Sequence, residues 1–159
     1  MSAHLDSLLG AQEIDLRIQT IRQQLERIPK EKDAAHNRLE ALANKVAEAK
    51  KAIQENEIAI KNLELDIGTR RETINRLKTQ QFETRKNEEY QALGQEITRY
   101  EGEVDGLETG ELELMEKADE LRTGLGEAEE AYAGTKKGVD EEVATLDSRA
   151  GEFETCLLY

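Results

Sequence analysis

From Ile14 onward apolar side chains recur at alternating steps of four and three. The run is Ile14, Ile18, Ile21, Leu25 and Ile28, then, in the same phase beyond Pro29, Ala35, Leu39, Leu42, Val46, Ala49, Ile53, Ile60, Leu63, Ile67, Ile74 and Leu77. Only Lys32, Asn56 and Arg70 interrupt it. Ile18, Leu25, Leu39, Val46, Ile53, Ile60, Ile67 and Ile74 take heptad position a, and Ile14, Ile21, Ile28, Leu42, Leu63 and Leu77 take d. Such steps average about 3.5 residues, the period that keeps one stripe of a helix facing a second helix. The pattern predicts a long coiled-coil helix.

A second run begins after residue 89. Tyr90, Leu93, Ile97, Tyr100, Val104, Leu107, Leu114, Ala118, Leu121, Leu125, Ala128 and Tyr132 keep the spacing, broken at Glu111. The seam then passes through Thr135 to Val139, Val143, Leu146, Ala150, Phe153 and Leu157 with an extra step of four. This predicts a stutter, a local unwinding of the supercoil, near residue 139. Between the runs, residues 78–89 (KTQQFETRKNEE) carry no apolar period and read as a turn into which both helices can extend.

The fold expected is all-α, a long antiparallel coiled-coil helical hairpin with a Pro-kinked first arm. Its parts are an N-terminal helix over 1–28, a first arm over 29–79, a tip over 80–89 and a second arm over 90–155. Pro29 inside a helix removes one hydrogen bond and clashes with the preceding turn, at ~3 kcal/mol. A kink or short break near Ile28 is therefore expected, with Pro29 in the first turn of the longer helix or serving as a hinge. The polar interruptions suggest a register. If Leu77 faces Tyr90, then Ile74 faces Leu93, Ile67 faces Tyr100, Leu63 faces Val104, Ala35 faces Tyr132 and Lys32 faces Thr135. Asn56 and Glu111 then share one polar seam layer. A one-heptad shift in either direction sets both against apolar residues, and a buried polar group without a partner costs ~1–3 kcal/mol. The alternative is one long helix pairing between two chains, so the molecule is a monomeric hairpin or a homodimer.

Composition narrows the function. Of 159 residues, 36% are charged and 4% aromatic, with no Trp, so large core-filling side chains are scarce. No apolar stretch reaches the ~18 residues a membrane span needs, and the first ten residues, MSAHLDSLLG, do not resemble a secretory signal. A cytoplasmic location is expected. The lone Cys156 excludes an intrachain disulfide and a multi-thiolate zinc site within this sequence. His4 and His36 stand far apart, with no phosphate-loop, His-Glu-x-x-His or Gly-x-Ser-x-Gly motif. No enzyme activity and no cofactor are expected, since a hairpin of two helices offers no concave site for converging groups.

The net charge is −13, which disfavours non-specific nucleic-acid binding over the whole surface. Residues 1–79 hold 14 Lys and Arg against 13 Asp and Glu, whereas residues 80–159 hold 8 against 22. The acidic half would repel itself in a parallel homodimer but can lie against the balanced half. That half also carries nine of the eleven glycines, each ~1 kcal/mol worse than Ala in a helix, so it should depend on the first arm for order. Close approach by a partner is the other use for those glycines.

One cationic cluster stands out. Arg70, Arg71, Arg76, Lys78, Arg85 and Lys86 gather near the tip against Glu72 and Glu83, with Phe82 and Tyr90 in or beside it. Cations with aromatics can meet a phosphate backbone or an acidic protein patch. The plainer reading is a solvated turn. The segment Lys86-Asn87-Glu88-Glu89-Tyr90-Gln91-Ala92-Leu93, followed by Glu96-Ile97, resembles the Lys-Asn-x-Glu-Tyr-Gln-Ala-Leu-x-x-Glu-Ile signature of the bacterial C4-type zinc-ribbon family. Leu8–Asp15 and Arg27–Glu31 resemble that family's opening and its helix break. The resemblance implies a coiled-coil hairpin preceding a ribbon with two Cys-x-x-Cys pairs. Those pairs are absent here, so the chain is either a piece of a longer protein or a shortened member. Zinc is expected only if a ribbon follows. By the same resemblance, nucleic-acid-binding or regulatory roles linked to an alternative sigma factor, flagella or type III secretion are implied.

Three functions follow. The first is a non-enzymatic coiled-coil adaptor or regulator binding protein partners. The second is a nucleic-acid-associated factor contacting RNA or DNA through the tip. The third is a holdase-like chaperone using the apolar residues Leu5, Leu8, Leu9, Leu157 and Leu158.

Overall fold

A computed structural model of the chain describes residues 2–159; Met1, the first residue of the expected N-terminal helix, lies outside them. Two helices, α1 (Ser2–Glu83, 82 residues) and α2 (Asn87–Leu158, 72 residues), account for all but a few described residues. No strand occurs among them. The fold is an all-α coiled-coil helical hairpin. The turn is only Thr84–Lys86, far shorter than the polar segment 78–89, because both helices extend into that segment. No non-glycine residue among those described has a positive φ, so the reversal needs no glycine.

Of the kink or short break expected near Ile28, the break is not present. α1 runs through Pro29 without interruption, so residues 1–28 do not form a separate helix. Ile28 and Ala35 on either side of the proline are buried, and their burial holds the helix through a position that lacks a donor.

Two compact units can be distinguished, to each of which both helices contribute. One comprises Ala47–Glu127. Its core is Ile67, Ile74, Leu77, Ile97 and Val104, with Leu93, Tyr100 and Leu107 packed against it. These are the predicted seam residues. Lys78 pairs with Glu101 (3.5 Å), Arg70 Nε donates to Glu103 Oε2 (3.0 Å), and Arg71 pairs with Glu108. Going from Arg70 and Arg71 up to Lys78 the partners move from Glu103 and Glu108 down to Glu101, so the helices are antiparallel within this unit.

The register differs from the one that the polar layers suggested. Leu63 Cδ1 lies 3.8 Å from where a Cβ on Gly110 would stand, and not at the level of Val104. Tyr90, expected opposite Leu77, is 51% exposed, whereas Leu77 and Ile97 are both buried. The contacts correspond to a slide of about one heptad, which brings Ile97 to the level of Leu77 and Leu107 to the level of Ile67. Asn56 and Glu111 therefore do not form one layer, and the same offset places Asn56 opposite Ala118. Asn56 is 7% exposed, and its Oδ1 has no hydrogen-bond partner. Burying a large aliphatic side chain contributes ~1.5–3 kcal/mol, enough to offset one unsatisfied polar atom.

The other unit comprises Met1–Val46 with Ala128–Tyr159. Ile28, Ala35, Val139 and Leu146 are its buried residues. Lys32 pairs with Asp147, and Arg38 Nη2 donates to Glu142 Oε2 at 2.8 Å. The expected pairing of Lys32 with Thr135 is displaced in the same direction as the register of the first unit. Val139, where the seam changes step, is 2% exposed, so the extra step keeps the stripe in the core.

Candidate functional site at the helix turn

The turn is built by local hydrogen bonds. Thr84 N donates to Gln80 O and Tyr90 N to Lys86 O, each at 3.0 Å, closing the last turn of α1 and opening the first turn of α2. Thr84 Oγ1 donates to Glu89 Oε2 at 2.7 Å, tying the three-residue link to the second helix. Glu88 and Glu89 occupy the first turn of α2, where the positive end of the helix dipole favours carboxylates. Gln81 Nε2 donates to Tyr90 O at 3.1 Å. The same nitrogen lies 3.1 Å from where a Cβ on Gly94 would stand, so at this position the missing side chain makes room for a cross-helix contact.

The six cations of the sequence cluster divide into two groups. Arg70, Arg71 and Lys78 are drawn into ion pairs with Glu103, Glu108 and Glu101 of α2, and Arg70 also stands 3.9 Å from Asp66. They act as cross-helix fasteners. Arg76, Arg85 and Lys86 are exposed and stand outside the ion pairs among the described residues. Asn87, Glu88, Glu89 and Tyr90 are exposed at the start of α2. Phe82 projects from the last turn of α1 at 92% exposure. A hollow of about 330 Å³ lies between Thr84, Arg85, Lys86, Asn87 and Tyr90. What gathers here is thus a smaller patch than the sequence suggested, two exposed aromatics with Arg85 and Lys86 in the link between the helices. The partners that claim the other cations were not apparent in the sequence, because assigning them requires the register.

The polar seam pair is not brought together. Glu111 is half-buried beside Glu64 and Ile67, away from Asn56. His4, His36 and Cys156 are all exposed. Among the described residues no group of three or more His, Cys, Asp and Glu side chains is placed to hold a metal ion, and no helix is long and apolar enough to cross a membrane.

Comparison with curated proteins gives no match. Among solved structures, CT398 from Chlamydia trachomatis matches with a TM-score of 0.75 at 23% identity, covering 96% of this chain and 70% of that one. At that identity the likeness speaks for the fold. The family description of the CT398-like coiled coil hairpin domain matches residues 11–156, nearly the whole of both helices. The chain belongs to the CT398-like coiled-coil hairpin family.

Proposed function

We propose that the protein is a non-enzymatic coiled-coil adaptor that engages an acidic surface of a protein partner through the turn between its helices. The observation that carries this reading is Phe82, an aromatic side chain left 92% exposed in the last turn of α1, two residues before the link that carries the free cations Arg85 and Lys86. Aromatic and Arg side chains dominate the energetics of protein interfaces, where they fill pockets on the partner. Bound cations are poor recognition groups, and three of the six in the cluster are already engaged by α2 carboxylates. That reduces the basic surface a phosphate backbone would need. The resemblance of Lys86–Leu93 to the zinc-ribbon signature supports a regulatory role tied to transcription, secretion or flagella. A cytoplasmic site of action suits that role, and the function proposed uses no cofactor.

The test is quantitative capture from a cell lysate by the immobilised full chain, set beside Phe82→Ser and an Arg85→Glu/Lys86→Glu pair. These positions are exposed, so helical content should be unchanged by circular dichroism. Specific partners should fall at least tenfold with either variant. Equal capture by all three would remove the turn as the binding site. Fluorescent single-stranded DNA and RNA provide the competing arm. Tight binding that disappears with Arg85→Glu/Lys86→Glu would replace the protein-partner reading with a nucleic-acid one.

A further inference from the structure

Within the Ala47–Glu127 unit a groove of about 510 Å³ runs between the two helices, clear of the turn. Ile67 and Gly68 of α1 and Leu112 and Met115 of α2 line its apolar part. Leu112 is 63% exposed and Met115 41% exposed. Neither residue belongs to the heptad seam, so hairpin packing does not account for them. A Cβ placed on Gly68 would meet nothing within 4 Å, so the groove lies open above the backbone there. The size falls within the ~300–1,000 Å³ of ordinary binding clefts.

The charge around the groove is one-sided. Its single cation, Arg71, is paired with Glu108. Glu64 and Glu111 line the same groove and take part in no ion pair among the described residues. An apolar floor flanked by two free carboxylates suits a helix presenting one apolar stripe bordered by Lys or Arg. Recognition of this kind reads apolar anchors at i, i+3, i+4 and i+7 in a groove, and Met side chains adapt to their shape. A phosphate backbone would be repelled. A second copy docking by two-fold symmetry would bring the same carboxylates face to face.

We infer that this groove is a second docking site, distinct from the turn, that takes a cationic amphipathic helix of a partner protein. The probe is a fluorescent helical peptide with Leu at the four anchor positions and Lys beside them. It is titrated into the full chain and followed by anisotropy. Saturable binding is expected. Gly68→Arg fills the open space and adds a cation at a position where any side chain improves helix propensity, so the fold is retained while affinity falls at least tenfold. Leu112→Ser should weaken binding in the same way, whereas Phe82→Ser should leave it unchanged, which separates this site from the turn. Peptides with Ser for Leu, or Glu for Lys, should not bind. The inference is overturned by no saturable binding at millimolar peptide, by equal affinity for Gly68→Arg, or by equal binding of the Ser peptide. Self-association of the chain that Gly68→Arg abolishes would assign the groove to a second copy and overturn it equally.

Discussion

At Asn56 a single polar atom shows how the hairpin chose between two alignments. The side chain sits in the seam, and its Oδ1 has no partner. Aligning polar interruptions would have given it Glu111, but the helices instead align Leu77 with Ile97. One apolar layer gained against one polar layer lost is a contest of a few kcal/mol, so neither term decides it from sequence. Replacing Asn56 by Leu removes the unsatisfied atom and continues the apolar stripe. Thermal unfolding of Asn56→Leu should show a stabilisation of about 1–3 kcal/mol, raising Tm. Destabilisation would mean that Asn56 is satisfied in the folded state and that the alignment described here is wrong.

Both helices were legible as elements. The stripes from Ile14 to Leu77 and from Tyr90 to Leu157 lie in α1 and α2, and the polar segment between them holds the turn. The apolar stripe beyond the step change was legible as well, since Val139 and Leu146 are both buried. What could not be read locally was the outcome at Pro29. Proline chemistry predicts a kink or a break; with buried neighbours at Ile28 and Ala35, α1 continues without a break. A helix held through its proline by packing alone stores a removable cost. Pro29→Ala should stabilise the chain by up to about 3 kcal/mol with helical content unchanged. Chemical denaturation followed by circular dichroism measures both. Lost stability in Pro29→Ala would show that a bend at this point is required for packing. The candidate site was legible only in part for a related reason. Its cations were visible as a cluster, yet which remain free depends on where α2 places Glu101, Glu103 and Glu108.

For the molecule taken as one chain, the unequal halves explain why it folds back on itself. Among the described residues, all five ion pairs between the helices run from a cation of α1 to a carboxylate of α2: Lys32 to Asp147, Arg38 to Glu142, Arg70 to Glu103, Arg71 to Glu108 and Lys78 to Glu101. Each is solvent-accessible and contributes only ~0–1 kcal/mol. Their common polarity matters more than their sum, because residues 80–159 hold 22 carboxylates against 8 cations, and two acidic α2 helices side by side would leave most of those carboxylates unmatched. The surfaces left for partners follow from the same division. Carboxylates of α2 use up part of the basic cluster near the turn, and Glu64 and Glu111 leave the groove beside Leu112 acidic. Each proposed partner is therefore defined by the charge that the folded hairpin has not already matched.

The alignment of the two helices can be tested directly by cross-linking. In a Cys156→Ser background, Leu63→Cys/Gly110→Cys and Leu63→Cys/Glu103→Cys place the second thiol one heptad, or about 10 Å, apart along α2. With a short bis-maleimide, rapid cross-linking within one chain is expected for the 63/110 pair, where Leu63 already stands 3.8 Å from a Cβ position on Gly110, and slow reaction for 63/103. The reverse order would restore the shared layer of Asn56 and Glu111. Products joining two chains in place of one would contradict the hairpin itself.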